Sequence, residues 1–167
     1  MDQRCVDIKR STHIGIHGSM SSADLMKEDD EKGWLTITMD QFVEKGPIEA
    51  ANIVMERIGD APTVISLDVD VLEPGECPGI GFPEPGFHYN NCETFSPILS
   101  SGGMYSRELF TFLRALKGID VIGGEVNEFT PNYDSNEVTA HACAQGAYEI
   151  MCLALDNVED PEPEEGE

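Results

Sequence analysis

Asp68 and Asp70 stand one residue apart at the end of the apolar run TVISL (63–67), within SLDVDVLEPGECPGIGFPEPG (66–86). In a strand, residues i and i+2 point to the same side, so the two carboxylates converge if the strand runs through them. Two like charges that lose hydration together need a positive group between them, or one must take up a proton. A hard divalent cation is the simplest partner. The alternative is a pair of turn-forming aspartates, one of which caps the following loop. That loop carries Pro74, Gly75, Pro78, Gly79, Gly81, Pro83, Pro85 and Gly86. Prolines reduce the entropy lost on ordering, and glycines let backbone approach a ligand closely. A stiff loop beside two carboxylates suits a site of fixed geometry. A calcium EF-hand loop is a poor match, because its sixth position requires glycine and here holds Glu73. ISLDVDVL also resembles the nucleophile segment of haloacid-dehalogenase-type phosphatases, but Leu72 fills the Thr/Val slot and the Pro/Gly run is foreign to that pattern.

The elements that position this segment follow from pattern. THIGI (12–16) and WLTIT (34–38) read as short strands. Pro47–Ile58 reads as a helix: Pro47 suits the first helical position, Ile48, Ala51, Met55 and Ile58 share one face, and Gly59 ends it. The uncharged TVISL predicts a strand covered on both faces. A second helix is expected over Ser106–Lys117 with Ser106 as N-cap, and a further buried strand over Ile119–Ile122. Asp134 and Glu137 have capping-box spacing and predict a long helix to about Leu155, apolar nearly all round and so packed on several sides. Strand, helix and strand alternate, which predicts an α/β domain with a mainly parallel sheet. At the carboxyl ends of such strands lies the usual ligand site.

The 167 residues suffice for one domain, taken as 1–155 and followed by an acidic, solvated tail, DNVEDPEPEEGE (156–167). The formal net charge is −22. Such a surface repels nucleic-acid phosphates and anionic membranes, and favours cationic ligands or metal ions. Five cysteines without a CxxC pair argue against a disulfide framework or a zinc site. A reducing, cytoplasmic setting is expected. No apolar run is long enough to span a membrane, and the amino-terminal residues lack a signal-peptide core.

Residues 66–86 resemble the S-x-D-x-D-x-x-D-P-x-x-x-P-G-T-G-T-P-x-P-G signature of the ureohydrolases: arginase, agmatinase and their relatives. GMYSRELFTFLRAL (103–116), GGEVNEFTPNYDSNEVTAHACAQGAYEI (123–150) and THIGIHGSMSSADL (12–25) resemble further blocks of that family, in its order. The PEPG and PNYD segments fit the agmatinase-like branch. The resemblance implies the carboxyl-terminal half of a three-layer α/β/α fold. It implies hydrolysis of a guanidino compound, agmatine or guanidinobutyrate-like, to urea and an amine, with two Mn²⁺ ions activating a bridging hydroxide. By the same resemblance Asp68 would bridge both metals and Asp70 would bind one. Glu128, three residues before Pro131, would pair with the substrate guanidinium. Glu125 aligns with the family's aspartate and is the secondary candidate. The family forms homo-oligomers, and a completed protein would be expected to do so.

The departures matter equally. The family's G-G-D-H and D-A-H-x-D motifs, which supply two histidine and two aspartate ligands, are absent from this sequence. His13 sits at a strand position, His17 takes the place of the family's arginine in I-G-I-R-G, and His141 lies in the long helix. None is expected to replace the missing ligands. The chain is therefore read as a fragment that is inactive alone. The alternative is a catalytically dead relative with a binding or regulatory role. Glu73, Ile80 and Phe82 replace Asp, Thr and Thr of the signature, which leaves the substrate open. Phe87–Gly102 reads as an insert, since its deletion joins PEPG to GMYSREL in the family's manner. It is read either as a retained short intron or gene-model error, or as a genuine surface loop.

Overall fold

The computed structural model describes residues 6–18, 24–84 and 102–156. The tail beyond Asp156 and nearly all of the proposed insert lie outside them. In chain order the elements are β1 (Thr12–Ile16), α1 (Leu25–Lys32), β2 (Leu35–Thr38), α2 (Met39–Lys45), α3 (Pro47–Ile58), β3 (Thr63–Asp68), α4 (Ser106–Ala115), β4 (Val121–Asn127) and α5 (Val138–Leu155). The chain is α/β, and its strands pair in parallel. β1 pairs with β2, and β3 with β4, as two separate two-stranded sheets. Parallel pairing needs crossovers, and helices supply them. No helix among the described residues is long and apolar enough to cross a membrane.

Helix α3 has the predicted bounds, with Pro47 in its first turn. It buries Ala50, Ala51, Val54 and Ile58, in a core with Phe42, Leu113 and Phe112. The Phe42 and Phe112 rings meet edge to face at 5.9 Å between centroids. Helix α2 starts with a full capping box: Thr38 Oγ1 accepts from Gln41 N–H, and Gln41 Oε1 accepts from Thr38 N–H.

Four expectations are corrected. First, Ser106 is not the N-cap of α4. Tyr105 holds that place, its N–H donating to Glu108 Oε2 at 2.9 Å. Ser106 is instead tied back to the loop, its N–H and hydroxyl both donating to Glu76 Oε2. Second, α5 begins at Val138, after a 3-10 turn over Ser135–Glu137 in which Asn136 and Glu137 adopt left-handed φ. Asp134 still caps it, but from farther away: its two oxygens accept the Thr139 and Ala140 N–H groups, at 2.9 Å each. Third, β3 and β4 are covered on one face only. Val64 is 65% and Ile122 64% exposed, because no described element packs over that side. Fourth, α5 packs against β4 and α4 but leaves Tyr148, Met151 and Leu155 exposed.

Beyond β3 the backbone pairs with the start of α4. Leu72 and Met104 form a parallel bridge, Met104 N–H donates to Val71 O, and Glu73 N–H donates to Met104 O. Glu73 Oε2 also accepts from Gly103 N–H at 3.1 Å.

Thr38→Val removes the hydroxyl cap of α2, which lies away from the ends of β3 and β4. It should lower stability by about 1 kcal/mol, read as a lower denaturant midpoint with an unchanged slope.

Candidate metal centre

Strand β3 stops at Asp68, and Val69–Val71 form a 3-10 turn. The alternation expected to align Asp68 with Asp70 therefore does not operate, yet the turn brings both to one cleft. Asp68 Oδ1 accepts the Asp70 N–H at 2.8 Å, which caps the turn. The turn-forming reading of this aspartate is thus correct as local structure, and it leaves the second oxygen uncommitted. Asp70 Oδ1 accepts the Gly81 N–H at 2.9 Å. The Pro/Gly loop that follows thereby returns to hold the second carboxylate.

The cleft has a cavity volume of about 300 Å³ and is lined by Ile14–His17 of the β1 end, Asp68, Asp70, Val71, Phe82 and Glu84. Gly15 permits this arrangement. Its φ is +79°, and a Cβ there would lie 2.5 Å from Val71 Cγ2. The electrostatics are one-sided. Burial pushes the Asp68 carboxyl above the ordinary carboxylate range. The Asp70 N–H bond opposes this, the negative charges of Asp70 and Glu128 add to it, and His17 counters them. His17 is the one basic side chain among the described lining residues.

Glu128 follows the end of β4 and has a left-handed φ of 61°, unusual for a residue with a side chain. Its neighbours hold it there. Phe129 bridges Ile80, and Thr130 N–H donates to Gly79 O at 2.8 Å. Glu128 thus reaches the field of Asp68. Glu125 sits elsewhere, opposite Ser66 in the strand register. Its Oε1 accepts from Ser66 Oγ at 2.9 Å and from Asn127 Nδ2 at 3.4 Å, and it does not line the cleft.

The donor set suits a hard divalent cation in kind. Asp68 and Asp70 each keep an oxygen beyond the backbone bond, and Asn127, the register partner of Asp68, has a buried Oδ1 with no hydrogen-bond partner. In number it is partial: among the described residues no group of three or more His, Cys, Asp and Glu is arranged to hold a metal ion. His13 is stacked on Trp34 and lies 3.5 Å from Asp29, and His141 is exposed on α5. The residue that sequence reasoning set aside and the fold brings to the cleft is His17. Its Nδ1 lies 2.7 Å from Gly15 O, an acceptor, so Nδ1 carries the proton and Nε2 keeps its lone pair in the neutral ring. Its place directly after a strand that ends in Gly15 was the available signal.

The arginase family profile matches residues 1–93 and 98–153, with its break inside the proposed insert. The chain is 34% identical to the guanidinopropionase of Pseudomonas aeruginosa over 158 residues, which covers 94% of this chain and 44% of that one. Its fold superposes on the proclavaminate amidino hydrolase of Streptomyces clavuligerus with a TM-score of 0.79 at 27% identity, covering 94% of this chain and 47% of that one. A hypothetical agmatinase of Burkholderia thailandensis gives 0.70 at 27% identity, over 89% and 39%. The chain thus spans less than half the length of these relatives.

A carboxyl whose pKa is raised by folding opposes the fold where it is ionised, and the cost disappears as pH falls below the unfolded value. In chelator, Asp68→Asn should therefore raise Tm at pH 7, since the amide oxygen can still cap the turn. The gain should vanish near pH 3. An equal gain at both pH values would show that charge is not its source.

Proposed function

Because the chain belongs to the arginase family, on its agmatinase-like branch, we propose that it carries part of the site of a manganese-dependent guanidino hydrolase. The substrate is a small guanidino compound of the agmatine or guanidinobutyrate kind. The observation that carries this reading is that Asp68 and Asp70 line one cleft whose described lining has no lysine or arginine. Two positive partners suit such a cleft: a divalent cation and a guanidinium.

In this reading Asp68 and Asp70 supply carboxylate oxygens to the cation, each steadied by a backbone N–H. The remaining ligands come from groups outside the described residues. When bound, Mn²⁺ supplies Lewis acidity and lowers the pKa of water. Glu128 accepts N–H bonds from the guanidinium, in the paired geometry that favours planar cations. Holding it in a left-handed backbone conformation fixes where its side chain starts, which orients the substrate carbon. Glu125 is already engaged by Ser66 and Asn127, and serves as support for the strand ends.

A second reading is a relative without catalysis that binds guanidino ligands or regulates a complete subunit. The partial donor set among the described residues favours it for the chain acting alone. We propose accordingly that this chain by itself is inactive.

Urea release with Mn²⁺ should be absent for the chain alone. It should appear when the chain is joined to the amino-terminal half of a relative. In that completed protein Asp68→Asn should abolish release. Glu128→Gln should lower kcat/KM by about a hundredfold, the scale of losing a charge-assisted bond of roughly 1.5–3 kcal/mol or somewhat more. Unchanged kcat/KM in Glu128→Gln would remove it from the site.

A further inference from the structure

We infer that Thr139 is a positioning residue, whose single buried hydroxyl sets the spacing between Asp70 in the cleft and Glu128 beside it. Thr139 is fully buried at the start of α5. Its Oγ1 accepts the Gly79 N–H at 2.8 Å, a buried bond across sixty residues of sequence. The Thr139 backbone is held in turn, because the Asp134 carboxylate accepts the Thr139 and Ala140 N–H groups at 2.9 Å each. One residue therefore receives the loop through its side chain and is anchored to the helix cap through its backbone.

Gly79 divides that hold between two arms. In one, Gly81 N–H, two residues on, donates to Asp70 Oδ1. In the other, Gly79 O accepts the Thr130 N–H, and Ile80 bridges Phe129, next to Glu128. Asp70 and Glu128 come from different strands and share no direct bond. Their common fixed point is Gly79, and Gly79 is fixed on Thr139. The approach is close enough to exclude any side chain: a Cβ on Gly79 would lie 2.7 Å from Asp134 Cβ and 3.0 Å from Thr139 Cβ. Serine could accept the same bond. Valine, of equal shape, could not, and would leave the Gly79 N–H buried without a partner.

The functional meaning of this role rests on the hydrolase reading, so two measurements are paired. The first is amide exchange at Gly81 and Thr130 in the intact chain, followed by NMR. The second is Mn²⁺ affinity by calorimetry in the protein completed with the amino-terminal half of a relative. Thr139→Val should speed exchange at both amides and weaken Mn²⁺ binding about tenfold, as losses of supporting contacts do. Thr139→Ser should restore both to within about twofold. Thr63→Val, which loses a hydroxyl bond to Ala61 O at the opposite end of β3, serves as a control and should change neither beyond its effect on global stability. Should Thr139→Val fail to fold, Thr139→Ala removes the same acceptor without adding bulk and should give the same pattern. Equal effects of Thr139→Val and Thr63→Val, or unchanged exchange at Gly81, would overturn the assignment. Should the completed protein bind no Mn²⁺, the hydrolase reading falls, while the exchange data still decide the role of Thr139.

Discussion

Negative charge without a matching positive group is the constraint around which this fold is arranged. Asp68 lines the cleft with Asp70, and backbone N–H groups supply most of what restrains them. Asp68 holds the turn that follows β3, Asp70 holds Gly81, and Asp134 holds the first turn of α5. Each carboxylate is spent on N–H groups that would otherwise be orphaned at the end of an element. The same bonds that stabilise the chain therefore orient its acids. The charge that remains is concentrated at the carboxyl ends of β1 and β3, where an α/β protein receives its ligands.

Much of this was legible in the residues. Helix α3 could be bounded by Pro47 and Gly59 because both act locally through backbone geometry. Asp68 and Asp70 could be singled out from their spacing and Glu128 from the family resemblance; the fold places the two aspartates along one cleft and leaves Glu128 outside its lining. What could not be read were the features settled by distant partners. Ser106 looked like a cap until Glu76 claimed its hydroxyl. The uncharged TVISL looked doubly covered, yet Val64 faces outward. Period-two reasoning failed at Asp68, because an aspartate that can bond the N–H two residues on is itself a strand terminator. His17 was discounted by comparison with an arginine, although position at a strand end, rather than identity, determines which side chains meet the cleft.

The two parallel strand pairs make sense against the relatives. A chain of less than half their length keeps the curvature and packing of its own part well enough to superpose at a TM-score of 0.79. Apolar positions that a larger assembly would cover, such as Val64, Ile122 and Met151, are left at the surface. Among the described residues α3 packs on α4 and α5 on β4. Asp70 and the segment after Glu128 are held by the loop at Gly79–Gly81 rather than by that packing.

The pairing of residues 71–73 with 102–104 has a consequence for how such a protein changes over time. Both banks of the intervening stretch are moored by backbone bonds and by Glu73 and Glu76. The distance to be bridged is then independent of how much chain does the bridging. Lengthening a connection between fixed points costs only about 0.6 kcal/mol per doubling. Within that stretch, however, Gly79 and Gly81 are tied to Thr139 and Asp70, and Phe82 and Glu84 line the cleft. Tolerance to added length therefore stops short of residues 79–84, and an engineer splicing in a reporter or a second domain would have to leave that segment intact.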